Sequence, residues 1–209
     1  MAVAHAEPTT TEPTAVRLLD AAEHLIGERG VDAVSLRAIN AEAGSNVAAA
    51  HYHFGSKAAL VRAVLDRRMA ILAQERYEQL APLESDPEPS ARTVAAVFVG
   101  PLFAFSRDEE GAPYVRFLAA LYQAGGDWLQ VLDESFAPQR DRIVPVFARA
   151  TPDLDDDRRA RRLSLASETM LRMLADADRY AGALDADGYL EEVIDVFTAI
   201  LTAPTQETP

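Results

Sequence analysis

The chain has 209 residues, 49% of them apolar, and no cysteine, so it can bury a sizeable core but holds neither disulfides nor thiolate metal sites. A formal net charge of −13 excludes a chain-wide nucleic-acid coat, because phosphate contacts come from cations. No stretch approaches the roughly 18 uncharged apolar residues of a membrane-spanning helix, and the lack of cysteine fits a cytoplasmic protein.

The acid is unevenly placed. Residues 14–70 hold seven Arg and Lys against six Asp and Glu, whereas residues 71–209 hold thirteen against twenty-five. Any DNA contact therefore belongs to the N-terminal quarter.

Residues 1–13 carry Pro, Thr and Glu with neither a basic start nor an apolar run. They are expected to be a disordered arm rather than a signal peptide. From there on, apolar residues recur at spacings of three and four, the helical period, so the chain is expected to be all-α. Thr14 is placed to cap a first helix running to Arg29, whose buried stripe is Val16, Leu18, Leu19, Ala22, Leu25 and Ile26. Gly30 ends it. Ser35 is placed to cap a second helix, Asn46 a third and Ser56 a fourth, with Gly55 as the left-handed residue between the last two.

The fourth helix is expected to run from Ser56 to about Leu80, spanning roughly 37 Å, with Pro82 stopping it. After a loop at Leu83–Pro89, further helices are expected near 90–107, 112–123, 126–150 with a break near Ser135–Pro138, 154–180 and 186–202. This divides the chain into the arm 1–13, a helix-turn-helix unit 14–60, a larger helical unit 61–203 and a tail 204–209.

The segment Leu36–Leu60, LRAINAEAGSNVAAAHYHFGSKAAL, carries the most information. Small residues at Ala38, Ala41 and Ala43 let two helices approach closely across a turn at Gly44-Ser45, as a helix-turn-helix requires. The second of those helices presents Asn46, Val47, Ala48, His51, Tyr52 and His53, a polar and aromatic tip on a slim stem. A B-DNA major groove admits one helix of that girth. Lys57, the single lysine of the chain, lies in the first turn of the fourth helix, where free N–H groups already favour an anion. It reads as a phosphate clamp rather than a solvated cation. Arg37 reads as a base or phosphate contact, Tyr52 as a hydroxyl donor to the DNA backbone, and Phe54 as core. His51 and His53 point about 200° apart on a helix and do not share a metal ion, so no metal site is expected.

Taken together, the opening LLDAAEHLIGERG, the link VDAVSLRAI and the string NVAAAHYHFGSKAAL resemble the DNA-binding head of the TetR family of bacterial transcriptional regulators. The resemblance covers about Thr14 to Val64. It implies an all-helical homodimer of about nine helices per chain, with an N-terminal three-helix head that binds a double-stranded operator and a C-terminal domain for an effector and dimerisation. It also implies that Arg37, Val47, Ala48 and His51 meet base edges, while Ser35, Tyr52, His53 and Lys57 meet phosphates. His51 departs from the family's usual tyrosine or asparagine, so direct readout rests on Arg37 with Asn46 or His51, helped by methyl contacts to thymine.

In the larger unit, Phe98, Leu102, Phe103, Phe117, Leu121, Trp128 and Met170 are candidates to line a pocket for an apolar effector. The signature is similar to that of fatty-acid-responsive members, which points to an acyl ligand, with Arg116 or Arg172 for its headgroup. Leu163, Ala166, Met173, Leu190, Val193, Ile194, Phe197, Ile200 and Leu201 present more apolar surface than one helix pair buries, so they are expected to form a homodimeric four-helix bundle. The run Asp155–Arg162 reads as a solvated helix start with pairs Asp155–Arg159 and Asp157–Arg161.

Nothing in the chain reads as catalytic. Three histidines lie in the head and one in the arm, the serines of the larger unit have no imidazole, and no phosphate loop is present. No cofactor is expected. A ligand-independent regulator, or a helical protein that binds a partner other than DNA, are the competing readings.

Overall fold

The computed structural model describes residues 13–205; the arm through position 12, with His5, and the last four residues of the tail lie outside them. Ten helices follow one another: α1 (Thr14–Arg29), α2 (Leu36–Glu42), α3 (Ala49–Phe54), α4 (Lys57–Glu84), α5 (Ala91–Arg107), α6 (Ala112–Ala124), α7 (Asp127–Ala150), α8 (Asp156–Ala175), α9 (Ala177–Tyr180) and α10 (Ala186–Thr202). No strand occurs among the described residues, and the fold is all-α as the periodicity requires.

Local chemistry sets most of the helix ends. Ser35 Oγ accepts from the Ala38 N–H at 3.2 Å, Ser56 Oγ from Ala59 at 3.1 Å, and Asp155 Oδ1 from Arg158 at 2.7 Å, each satisfying an orphan donor of a first turn. Gly55, at φ +75°, supplies the left-handed residue that lets α3 stop and α4 start at a new angle. Two expectations at proline need correction. Helix α4 runs through Pro82 to Glu84, because the missing N–H would have met a carbonyl within the last two turns, where little ladder remains to lose. Its 28 residues span about 42 Å. Helix α7 runs unbroken through Pro138 and Pro145, held by Val131, Leu132, Ile143, Val146 and Phe147, all buried against neighbouring helices. The stretch 154–180 is two helices, not one, since Asp176 leaves the helical region at ψ 48°. Thr14 lies inside α1, with Pro13 at the cap position.

The N-terminal core comprises Leu18, Leu25, Ile26, Ile39, Ala50, Leu60 and Val64. It is continuous with the rest of the molecule, because α1 packs along α6 as well as α4. Gly27 allows that approach: a Cβ there would stand 3.2 Å from the Phe117 nitrogen and the Pro113 oxygen. Glu23, 2% exposed on α1, is held by Arg68 through Nε at 2.9 Å and Nη2 at 2.8 Å, and by Arg67 Nη2 at 3.1 Å. A buried carboxylate with two guanidinium partners ties α1 to α4.

The C-terminal core explains why the surplus-surface argument for the dimer fails. Ala166, Met173, Val193, Ile194, Phe197 and Leu201 are all buried within the subunit, because α8 and α10 pack on one another and on α5 and α6. Tyr189 Oη donates to the Met173 carbonyl at 2.8 Å in the same layer. Leu163, Leu190 and Ile200 are half-buried. The large apolar side chain that α8 exposes is Leu165, while α10 has Ala199 exposed and Val196 half-buried.

Candidate functional site

The turn between α2 and α3 is built around Asn40, 1% exposed. Its Nδ2 donates to the Val47 carbonyl at 2.8 Å, its Oδ1 accepts from Ala50 N at 2.9 Å and from Ser45 Oγ at 3.2 Å. One side chain thus satisfies three groups of a tight turn that the sheltered backbone would otherwise leave unpaired. Gly44, at φ +56°, makes the corner. Asn46 does not cap α3 directly: its Oδ1 accepts from Ala48 N at 3.0 Å, an Asx turn one step earlier.

Helix α3 then stands out from the surface. Ala50 is buried and Phe54 half-buried, while Asn46, Ala48, His51 and His53 are exposed, Val47 by 71% and Tyr52 by 85%. The Tyr52 and His53 rings meet edge to face at 5.3 Å. Arg37 is exposed on α2, and Ser35 is exposed although its hydroxyl is used for capping. A groove of about 510 Å³ runs between α3 and the start of α1, lined by Thr14, Arg17, Asn46, Ala48, Tyr52 and His53 among others. Arg17 was not singled out from the sequence. Its position one turn into a helix with a bare N-terminus was the available signal.

Lys57 is placed differently from expectation. Its ammonium donates to the Val31 carbonyl and lies 5.6 Å from the centre of the Trp128 ring. Burial lowers its pKa, with Asp32 opposing the shift. The cation sits between the α1–α2 loop and the first turn of α7 because an aromatic face and a carbonyl are both within its reach there. It does not point into solvent. Trp128 is correspondingly not a cavity residue; its indole Nε1 donates to Asp32 Oδ1 at 3.1 Å. Arg62 on α4 and Glu134 on α7 add a second link at 2.6 Å, which with Gln130 holds the Glu134 carboxyl below its ordinary range.

A cavity of about 790 Å³ lies among α4, α5, α6, α7 and α8. Of the predicted lining residues, Phe98, Leu102 and Met170 are in its wall. Phe103 packs on Tyr189, Phe117 stacks on Tyr114 behind α1, and Leu121 is sealed in the core, so these three are corrected along with Trp128. Helical period alone does not distinguish an inward face that meets a void from one that meets another helix. The wall also holds Leu129, Leu132, Phe136, Gln139, Ile143 and Phe147 from α7, none of them predicted. Arg116 and Arg172 are exposed outside it. Arg159, expected on a solvated face, is buried instead and bonded to Asp156 at 2.5 Å and to Thr151 Oγ1 at 3.1 Å.

A family profile described as tetracyclin repressor-like, C-terminal domain, matches residues 96–203, and one described as bacterial regulatory proteins, tetR family, matches residues 18–64. The chain belongs to the TetR family. It is accordingly a transcriptional regulator and not an enzyme. Solved structures share its fold. A TetR-like regulator from Rhodococcus sp. RHA1 is 22% identical with a TM-score of 0.55, covering 91% of this chain and 97% of its own. FadR from Bacillus subtilis, solved with stearoyl-CoA, is 13% identical with a TM-score of 0.55, covering 91% and 99%. SmeT from Stenotrophomonas maltophilia, solved with triclosan, is 22% identical with a TM-score of 0.58, covering 94% and 100%. No match was found among curated proteins. No helix among the described residues of this TetR-family chain is long and apolar enough to cross a membrane.

Proposed function

We propose that this regulator is a cytoplasmic homodimer that reads a near-palindromic operator through α3 and leaves it when a small, largely apolar molecule fills the cavity. The observation that carries the reading is the exposed end of the helix-turn-helix: Val47 in the turn and His51, Tyr52 and His53 on α3 stand exposed beside a stem of alanines whose turn is locked by Asn40. A helix so narrow enters a major groove, with Arg37, Asn46 and His51 as base donors and Val47 and Ala48 as methyl contacts. Ser35, Tyr52 and His53 border the groove as phosphate contacts, joined by Arg17, the open N-terminus of α1, and Lys57 once its ammonium leaves the Val31 carbonyl. Two such helices reach successive grooves when a dimer spaces them by about 34–36 Å. The outer face of α8 and α10, with Leu165, Ala199 and Ile200, is the dimer surface in this reading.

Support for a ligand comes from the cavity and from two fold relatives, whose structures contain stearoyl-CoA and triclosan, both largely apolar molecules. The path to the DNA face is short. Leu129 and Leu132 line the cavity one and four residues beyond Trp128, which holds the head. A ligand that shifts the first turn of α7 shifts the α1–α2 loop with it, and a differential affinity of a few kcal/mol suffices.

Selection from a random duplex pool, followed by anisotropy against a scrambled duplex, tests the first half. Recovery of no preferred, near-palindromic sequence would refute it. Lys57→Ala is expected to weaken binding to every sequence and to reduce the slope of log K on log salt by about 0.9. An unchanged slope removes Lys57 from the phosphate contacts and leaves it as a strut on Val31.

A further inference from the structure

We infer that Tyr122 on α6 and Ser167 on α8 form the polar subsite of the cavity, where both hydroxyls donate to one carbonyl oxygen of an otherwise apolar ligand. The inference rests on the ligand-responsive reading above and names the functional group of its effector.

Ala160, Leu163, Ser164, Ser167 and Leu171 of α8 lie in the cavity wall and recur at spacings of three and four, so they form one stripe along that helix. Ser167 lies within the stripe and is 6% exposed. On α6 the wall residues Leu118 and Tyr122 stand one turn apart, and α6 packs along α8. The Tyr122 phenol has its pKa raised by burial first and by Glu168 second, and Glu168 directly follows Ser167 in the chain. The phenol therefore lies near the turn of α8 that carries Ser167, and it keeps its proton at neutral pH.

Both hydroxyls are uncommitted. Neither has a hydrogen-bond partner among the described residues, and neither oxygen is sealed from solvent, unlike the orphaned Tyr114 Oη and Gln139 Oε1. A hydroxyl inside a helix commonly turns back to the carbonyl four residues earlier, as Thr169 does to Leu165 at 2.8 Å. Ser167 makes no such bond. Two arginines of the wall are spent elsewhere, Arg159 on Asp156, Thr151 and the Leu154 carbonyl, and Arg140 on Asp133. Phe98, Phe136, Ile143 and Phe147 give the body of the cavity an apolar lining around about 790 Å³, within the usual range for small-molecule sites. A protonated phenol and a serine each offer one O–H, and a carbonyl oxygen has two lone pairs, so one ketone, ester or amide oxygen satisfies both donors.

The test uses the full-length protein and three probes with one common body: valerophenone, 1-phenylpentan-1-ol and pentylbenzene, which carry a carbonyl, a hydroxyl or no polar group at the same carbon. Calorimetry gives their affinities for the parent and for the Tyr122→Phe/Ser167→Ala double variant. The variant is expected to lower the affinity for the ketone about tenfold relative to that for pentylbenzene. If the double variant does not fold, each single variant is expected to show about a threefold loss on the same ratio. Isotope-edited infrared spectra give a readout that needs no variant. The C=O stretch of valerophenone bound to the parent is expected at lower frequency than in hexane, as for any hydrogen-bonded carbonyl. The proposal is overturned if the bound ketone absorbs where it does in hexane, if the ratio of ketone to pentylbenzene affinity is the same in parent and variant, or if the alcohol binds more tightly than the ketone. In each of those cases the binding of pentylbenzene leaves the ligand-responsive reading standing. If none of the three binds, that reading falls, and this inference with it.

Discussion

The indole Nε1 of Trp128 donates to the carboxylate of Asp32 across 3.1 Å, joining residues 96 positions apart. It fastens the first turn of α7, whose next residue Leu129 lines the cavity, to the loop that precedes α2. The Lys57 ammonium lies against the same ring. One aromatic side chain therefore links a helix that lines the cavity, the loop that precedes α2, and the Lys57 ammonium.

Trp128 is the sole tryptophan of the chain, so its emission reports this junction directly. Asp32→Ala is expected to shift the emission to longer wavelength and to cost about 1 kcal/mol in denaturation, the net value of one solvent-exposed hydrogen bond. An emission spectrum identical to the parent's would show that the bond is not made in solution.

In the operator complex proposed above, the Trp128–Val31 site competes with a DNA phosphate for Lys57. Removing the ring removes part of the first. Trp128→Ala is expected to bind duplex DNA about threefold more tightly at fixed salt, the equivalent of a lost cation–π contact at a partly exposed site. Weaker binding by the variant would mean that the ring supports the head rather than restraining Lys57.

Asn40 holds the turn by three hydrogen bonds from a site sealed from solvent. Asn40→Ala is expected to cost about 3 kcal/mol, since it strands the Val47 carbonyl and the Ala50 N–H, and to abolish operator binding through loss of the α2–α3 geometry. Chemical denaturation and anisotropy check the two effects. Full duplex affinity in the variant would make the turn self-supporting.

Glu23→Gln leaves Arg67 and Arg68 facing a neutral amide beneath α1. Breaking one side of a buried ion pair is expected to cost about 3 kcal/mol, and the loss should appear as raised hydrogen exchange in α1 and the adjoining part of α4. Gly27→Val acts on the other face of the same helix. Its side chain meets the backbone of Pro113 and Phe117, and is expected to cost about 2 kcal/mol by overpacking.

Tyr189, buried with its hydroxyl on the Met173 carbonyl, has its pKa pushed up to about 12, first by burial and then by Tyr180 and Asp176. An unfolded tyrosine titrates near 10. The folded state thus keeps a proton that the unfolded chain loses, so this group's contribution is fully present below about pH 10 and is lost as pH rises toward 12. Denaturation midpoints of the parent should fall more steeply across that window than those of Tyr189→Phe. Parallel curves would show that the phenol titrates alike in both states.

The parts of this molecule that were legible in the sequence are those set by neighbours a few positions apart. Capping by Ser35 and Ser56, the stop at Gly55 and the exposure of Val47 and Tyr52 follow from spacing and side-chain chemistry within one or two turns, whereas α3 starts at Ala49 and not at an Asn46 cap. Helix α4 passes its expected end at Pro82 because a lost N–H costs little so near the C-terminus, whereas α7 passes Pro138 because packing against distant parts of the chain outweighs a local penalty.

Length, acid distribution and the string from Leu36 to Leu60 determined that this is an all-helical TetR-family regulator with its groove-sized helix near the N-terminus. Only the tertiary structure decided that Val193, Ile194 and Phe197 are buried within the subunit, that Trp128 holds the head while Phe136 and Gln139 line the cavity, and that Lys57 turns inward to Val31. A helix presents an apolar face by its period alone. What that face meets depends on groups brought together from distant parts of the chain, and no periodic pattern along one segment carries that information.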